Sequence, residues 1–215
     1  MSIICLMDIE MRPVRRRLRA EERRRQIVET AFAMVAEKGF EGFRTRDVAE
    51  RAGINSATLH HYFPTKEALV EGVAAHLETR YMEGPAPRQV TDEDAPGALR
   101  DLRQEFFDVA FFWREQPTTW AVSREFTLRA PREEAVANLV GRLNERWCAS
   151  VERVLAEGRD AGVFRAGLDP AAAALAVVGA LWGSIVLAHP TRERFDAVCR
   201  EIEAGLVGEA HQEKG

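Results

Sequence analysis

The sequence has few residues of the kinds that build disulfide frameworks, metal centres or membrane spans. Among 215 residues there are three cysteines, Cys5, Cys148 and Cys199, which are widely spaced and form no CxxC pair. An odd, scattered set argues against a disulfide framework or a zinc site, and it favours a reducing compartment. No stretch reaches about 18 uninterrupted apolar residues, so no membrane span is expected. These absences favour a cytoplasmic protein without a bound metal.

The familiar catalytic patterns are missing as well. The chain contains no HExxH motif, no Gly-rich phosphate loop, no Ser/His/Asp arrangement and no paired carboxylates at a useful spacing. These are the signatures that would indicate hydrolysis, nucleotide binding or acid–base catalysis. We therefore expect no enzyme activity and no cofactor, and a small-molecule enzyme or binding protein is the remote alternative.

Positive charge is concentrated at the front of the chain. The net charge is −4, yet residues 11–66 carry 13 Lys and Arg against 7 Asp and Glu, whereas residues 83–215 carry 16 against 22. Local positive charge is what nucleic-acid binding requires. A basic front and an acidic back fit a protein that presents one face to phosphates, although solvated helix faces would give the same asymmetry.

The composition divides the chain into three parts. Residues 1–19 are predicted to be a flexible basic arm, either solvated or lying along DNA. Residues 20–82 are predicted to be a helical DNA-binding domain, and residues 83–215 a helical regulatory and dimerisation domain. A segment rich in Pro, Gly and acids, residues 84–97, marks the boundary. No alternating strand pattern competes with helices, so we predict an all-α fold of about nine helices.

Two short helices separated by a sharp turn are predicted between Thr45 and Phe63. Thr45 is predicted to cap the first of them, and Gly53 ends it because glycine adopts the left-handed conformation of a sharp turn. Asn55 is predicted to cap the second. On that second helix Leu59, Tyr62 and Phe63 share one side, and small or polar residues share the other. This is a helix-turn-helix whose second helix can enter the major groove.

Residues 23–77 resemble the DNA-binding domain of the TetR family of transcriptional repressors. The resemblance rests on a series of residues in order and spacing: Gly39, Phe40, Thr45, Gly53, Ile54, Asn55, Thr58, Leu59, Tyr62, Phe63, Lys66 and Glu67. Two positions depart from the family pattern, because His60 replaces the usual Tyr and Ala57 a frequent Gly. These departures concern base preference rather than fold.

The resemblance implies which residues contact DNA. Thr45, Tyr62 and Lys66 would contact phosphates, although pure core packing is an alternative for Tyr62. Ser56, Ala57, His60 and His61 would read base edges, with Arg44 and Arg46 at the rim of the groove. A metal site at the two histidines is not expected, because neighbouring helical residues point about 100° apart. The full predicted set is Arg44, Thr45, Arg46, Asn55, Ser56, Ala57, Thr58, His60, His61, Tyr62 and Lys66.

The second domain resembles the family only in general style, a helical ligand-sensing and dimer-forming body. Its aromatic residues are either ordinary core or the wall of an effector pocket: Phe106, Phe107, Ala110, Phe111, Trp113, Trp120, Phe126 and Trp147. Arg124, Glu125 and Arg129 are candidate polar anchors for that pocket or plain surface. By the family pattern the last two helices pair with their copies in a second subunit, with Leu175, Val178, Leu181, Trp182, Ile185, Ile202 and Leu206 as candidates. Gly179 and Gly183, four residues apart, permit close approach of two helices.

These observations predict a homodimeric regulator of transcription. We expect a repressor that leaves a palindromic operator in double-stranded DNA when a small-molecule inducer, apolar or aromatic in character, binds the second domain. A constitutive regulator, in which that domain serves only as a dimer scaffold, is the alternative.

Overall fold

A computed structural model describes residues 3–83, 95–186 and 190–207, with side chains described from Arg19 onward except that of Glu83. Within these ranges the chain is helical and forms no sheet, which confirms the predicted all-α fold. Its nine α-helices are α1 (Ile3–Lys38), α2 (Thr45–Arg51), α3 (Ser56–Tyr62), α4 (Lys66–Glu83), α5 (Gly97–Glu115), α6 (Pro117–Arg129), α7 (Glu134–Asp160), α8 (Pro170–Val186) and α9 (Arg192–Leu206).

The chain divides into two compact units. The first comprises Met1–Met82 together with Ala121–Glu125, and the second comprises Glu83–Trp120 and Phe126–Gly215. The predicted division also changes at residue 82, but it does not include 121–125, the middle of α6, in the first unit. Most of the predicted linker, residues 84–94, lies outside the described residues.

The first unit is built around the apolar stripe of α1. Ile27, Ala31, Met34 and Val35 on that helix are buried, as the helical spacing predicts. Gly39 ends α1 in the left-handed region, with φ 65°. Phe40 and Phe43 follow in the link to α2 and are also buried. The link therefore closes the small core against which α2 and α3 pack.

Two local expectations in this unit are wrong. Thr45 does not cap α2, because Arg44 is the extended residue before the helix and Thr45 is itself the first helical residue. The basic segment predicted to be a flexible arm is helical from Ile3, as the first part of α1. Arg, Leu and Met are abundant there and all favour helix, so the segment extends the helix that follows it.

The second unit has its own core, formed where α5, α7, α8 and α9 pack together. Asp169 caps α8 as predicted, since its Oδ1 accepts hydrogen bonds from the amides of Ala171 and Ala172 at 3.1 and 3.2 Å. Gly158 on α7 is required by close packing, because a Cβ there would come within 2.2 Å of the Phe164 ring. Arg103 on α5 forms a two-bond ion pair with Glu203 on α9, at 2.6 and 3.0 Å. Both apolar and charged contacts thus fix the last helices to the rest of this unit.

Candidate nucleic-acid interface and regulatory elements

Helix α3 is fixed at both ends and along one side. Asn55 caps its N-terminus through a hydrogen bond from the Thr58 amide to Oδ1 at 2.8 Å, which confirms the predicted cap. Gly53 makes the preceding turn with φ 66°. Leu59 and Phe63 are buried beneath the helix, each with 1% of its surface exposed. A short helix held in this way presents its other face in a fixed orientation.

The exposed face of α3 contains the residues predicted to read bases. Ser56, Ala57, His60 and His61 are all exposed. The His60 Nδ1 lies 3.3 Å from the carbonyl oxygen of Pro64, which restrains the ring at the end of the helix. Hydroxyl, methyl and imidazole groups on one accessible face are suited to contacts with base edges.

The predicted phosphate contacts border this face but differ in their surroundings. Thr45 and Tyr62 are half-buried, so Tyr62 is neither a core residue nor fully free. Its ring meets the His61 ring edge-on, with centroids 5.3 Å apart. Lys66 Nζ lies 5.7 Å from the centre of the Phe43 ring, a cation–π contact. The aromatic side chains therefore position the predicted phosphate-binding groups, while Arg44, Arg46 and Asn55 are exposed at the rim and Thr58 is half-buried.

An ion pair supports α2 beneath this surface. Arg51 donates two hydrogen bonds to the Glu37 carboxylate, at 2.5 and 2.6 Å, and joins α2 to α1. The Arg51 hydrogen bonds hold the pKa of Glu37 below its ordinary value. The pair is exposed, so its role is to orient two helices rather than to supply much stability.

An open cleft of about 770 Å³ lies beside α3 and was not predicted from the sequence. One wall comes from the basic portion of α1 and the other from the end of α3. The lining residues are Arg19, Ala20, Glu22, Arg23, Arg25, Gln26, Glu29, His61 and Tyr62. The arginine run upstream of α1's apolar stripe was the only sequence signal for this feature.

Residues 121–125 of α6 form hydrogen bonds within the first unit. The Glu125 carboxylate accepts a hydrogen bond from the backbone amide of Phe40 at 3.2 Å, just after the end of α1. The Tyr81 hydroxyl donates to Ser123 Oγ at 2.9 Å, near the end of α4. Burial raises the pKa of Tyr81. Glu125, a candidate pocket anchor by sequence, is thus bound to the turn before α2 instead.

The predicted pocket residues fall into different environments of the second unit. Phe106 and Ala110 belong to its core and Phe126 is buried, whereas Phe107, Phe111, Trp113, Trp120 and Trp147 are partly exposed. Ring contacts join Phe107 to Phe111 at 6.2 Å and Trp113 to Phe195 at 6.3 Å. The Trp120 and Trp182 rings are closer, with centroids 4.6 Å apart and planes inclined by 60°.

The predicted dimer residues differ in their exposure. Val178, Leu181, Ile185 and Leu206 belong to the core of their own unit, with at most 7% of their surface exposed. Their apolar side chains are already covered within the chain, and their part in a dimer interface stays a prediction. Trp182 contacts Trp120 and Ile202 packs against the same core.

Leu175 behaves differently, because 67% of its surface is exposed. It shares an uncovered face of α8 with Ala172, Ala176 and Gly179, which are exposed as well. A Cβ added at Gly179 or at Gly183 would meet no neighbouring atom within 4 Å. The chain thus leaves a smooth apolar stripe on α8.

Within the described ranges, no group of three His, Cys, Asp or Glu side chains is placed to hold a metal ion. No helix in those ranges combines the length and the apolar character needed to cross a membrane. The thiols of Cys148 and Cys199 are unpaired by disulfides, and burial raises the pKa of Cys199 to about 12.

Comparison with known proteins covers both units. Residues 27–73 match the model of bacterial regulatory proteins of the tetR family, and residues 98–208 match the C-terminal domain of BetI-type transcriptional repressors. The HTH-type transcriptional regulator BetI of Burkholderia mallei is 25% identical over 164 residues, 75% of this chain and 80% of the relative. The HTH-type transcriptional repressor KstR2 of Mycobacterium tuberculosis is 29% identical over 153 residues, 68% of this chain and 72% of the relative.

A solved structure shares the fold over most of the chain. It is that of a transcriptional regulator from Saccharomonospora viridis in complex with choline, with a TM-score of 0.73 and 22% identity. The likeness covers 88% of this chain and all of that one. The arrangement of helices described above is therefore found in a protein that holds a small organic cation.

Proposed function

Since the chain belongs to the TetR family of bacterial transcriptional regulators, which are ligand-responsive DNA-binding repressors, we propose that it binds a palindromic operator as a homodimer. An effector bound by the second unit would release it. The observation that carries the proposal is the exposed face of α3, with polar residues outward and both helix ends fixed. As part of this proposal the protein acts in the cytoplasm.

The docking of α3 is tested by removing two predicted phosphate contacts, with Tyr62→Ala and Lys66→Ala in one variant. Fluorescence anisotropy with promoter DNA next to the protein's own gene should show at least a tenfold loss of affinity, since each charge-assisted contact contributes on the order of 1 kcal/mol. Lys38→Ala is the matched control, because it removes one positive charge from an exposed site at the C-terminal end of α1. Full affinity in the double variant would reject this mode of docking.

The homodimer is proposed from the apolar stripe on α8. Exposed apolar surface in a row is typical of an interface, and small residues let two helices approach closely. One helix-turn-helix binds DNA weakly, whereas two copies one helical turn apart select a palindrome. Leu175, Gly179 and Gly183 are the residues proposed to contact the second copy, while Ile202 and Trp182 lie at its border.

A quaternary ammonium compound is proposed as the effector, in place of the apolar or aromatic compound expected from sequence. The support is the pair of partly exposed indole rings at Trp120 and Trp182, because indole faces attract organic cations. The choline complex of the related fold supports the same chemistry. Choline and its uncharged isostere 3,3-dimethylbutanol form a matched pair of probes.

Operator release should occur with choline and fail with 3,3-dimethylbutanol at equal concentration. Trp120→Leu should abolish the difference, because leucine keeps the apolar surface but has no π face. Release by both compounds alike would reject the cation and favour a purely apolar effector. A constitutive regulator would be favoured if neither compound released the operator or stabilised the protein thermally. The same result would be required of a wider panel of apolar and aromatic compounds.

Segment 121–125 of α6 is proposed to carry the effector signal. Trp120 adjoins this segment directly in the chain, and the segment binds the turn before α2 through Glu125. A ligand that shifts Trp120 therefore acts on a helix whose next residues belong to the DNA-binding unit. Glu125→Ala should leave operator binding within a few-fold of wild type and reduce release by the effector. Arg124→Ala, on the exposed side of the same helix, is the control.

A further inference from the structure

The cleft between α1 and α3 combines positive charge with a residue of the predicted DNA surface. Arg19 and Arg23 are four residues apart and therefore share a face of α1. Tyr62 and His61 form the opposite wall. The arginines lie outside residues 27–73, the part of the chain that matches the family's DNA-binding model.

The charges in the cleft are unequally engaged. Arg25 is 3.8 Å from the Glu29 carboxylate in an exposed ion pair, so its charge is largely balanced. Arg23 is held by a neutral partner, with Nη1 donating to Gln26 Oε1 at 2.7 Å. A hydrogen bond to an amide orients a guanidinium without neutralising it. The cleft therefore presents an oriented positive group.

The spacing of the two arginines suits a nucleic-acid backbone. Four residues of helix advance by about 6 Å. Adjacent phosphates of one DNA strand are about 6–7 Å apart in space, because each step both rises about 3.4 Å and turns around the helix axis. Arg19 and Arg23 therefore match two adjacent phosphates. Tyr62, predicted to contact a phosphate from the recognition helix, fixes where the strand would enter.

We propose that this cleft is a second backbone-binding site, in which Arg19 and Arg23 contact two adjacent phosphates next to the one at Tyr62. The site extends the contact with each half of the operator beyond α3 and reads no sequence. The inference rests on the proposed docking of α3 on DNA. Charge complementarity favours DNA over a protein partner, because three arginines line the cleft against two glutamates.

The test is the salt dependence of operator binding by a variant with Arg19→Gln and Arg23→Gln. Each lost phosphate contact should reduce the slope of log affinity against log salt by about 0.9. Raising the salt concentration from 50 to 200 mM should therefore lower the operator affinity of the wild type about tenfold more than that of the double variant. Relative affinity for operators with altered bases should stay the same.

Three controls separate direct contact from general charge. Lys38→Gln removes a charge from the same unit outside the cleft and should leave the slope nearly unchanged. Glu29→Gln removes an acid from the cleft and should strengthen binding. Arg23→Lys keeps the charge and should retain most of the slope, and melting curves confirm that each variant is folded.

Ethylation interference locates the contacts. Ethylation of the phosphates beside the Tyr62 contact should impair operator binding by the wild type and should not affect binding by the double variant. The proposal would be overturned if the double variant kept the salt slope and the interference pattern of the wild type. It would also be overturned if Lys38→Gln reduced the salt slope as much as the double variant does. If Tyr62→Ala with Lys66→Ala abolishes binding while the cleft variant changes nothing, only the second site is rejected.

Discussion

Helices α3 and α8 each leave one face uncovered, and the two faces have opposite chemistry. The free face of α3 carries Ser56, His60 and His61, whereas that of α8 carries Leu175 and small residues. Polar groups on a fixed helix suit a hydrated, charged partner, and a smooth apolar stripe suits another protein surface. The difference shows that an uncovered face indicates the class of partner only when its chemistry is considered with its exposure.

The largest expected effect comes from placing a charge on the α8 stripe. Leu175→Glu should convert the proposed homodimer to a monomer, because the proposed interface would then bury an unpaired carboxylate, which costs several kcal/mol. Operator affinity should then fall by about a hundredfold or more, since the two half-sites are no longer bound together. Light scattering and anisotropy measure the two effects.

Leu128→Glu is the matched control for that change. Leu128 is 64% exposed and lies on α6, so it is not part of the α8 stripe, and the variant should remain dimeric and bind DNA normally. Equal loss in both variants would contradict the assignment of the stripe to an interface.

A smaller effect is expected from the face of α3. His60→Ala should lower discrimination at one base pair of each half-site by about tenfold, because a good base contact contributes roughly 1–3 kcal/mol. Binding to unrelated DNA should be unchanged. An operator library selected by both proteins gives the comparison, and identical selected sequences would exclude His60 as a reader.

The cap of α3 should have a measurable effect on stability. Asn55→Ala should cost about 1 kcal/mol and lower Tm by about 2–4 °C. Asn144→Ala, at an exposed site within α7, is the control and should have little effect or a slightly favourable one, since alanine is the better helix former. Equal changes in Tm would show that the Asn55 hydrogen bond contributes nothing.

The smallest effect concerns the hydrogen-bonded pair Tyr81 and Ser123, which is partly buried, in contrast to the exposed polar face of α3. Burial raises the pKa of Tyr81 above its ordinary value of 10.0. The folded protein therefore favours the neutral phenol, and its stability should fall as pH rises through 10 and above. Tyr81→Phe should flatten this decline in a series of melting curves. A decline of the same steepness in Tyr81→Phe would contradict the assignment.

The helix-turn-helix could be predicted from sequence because its signals are local. Gly53 and Asn55 determine a turn and a cap by their own conformational chemistry, and the buried pair Leu59 and Phe63 follows from helical spacing. The same argument predicted Asp169 as a cap. It failed at Thr45, where Arg44 takes the position before the helix and no side chain caps it.

The features that depend on distant contacts could not be predicted. Periodicity identifies an apolar face on α8 but does not say whether Val178 or Leu175 is covered by the same chain. Glu125 gave no sign that it would bind the amide of Phe40, 85 residues earlier. The cleft likewise required α1 and α3 to be placed together.

The incorporation of Ala121–Glu125 into the first unit also sets an order for folding during synthesis. The first 82 residues lack the helix segment that supplies Val122, which is fully buried, and the partner of Tyr81. About 40 more residues must be translated before that segment exists, which takes about 2–8 s at a bacterial ribosome's rate of roughly 5–20 residues per second. The DNA-binding unit can therefore be completed only after synthesis of the regulatory part has begun. A chain interrupted before residue 121 should lack a finished DNA-binding surface.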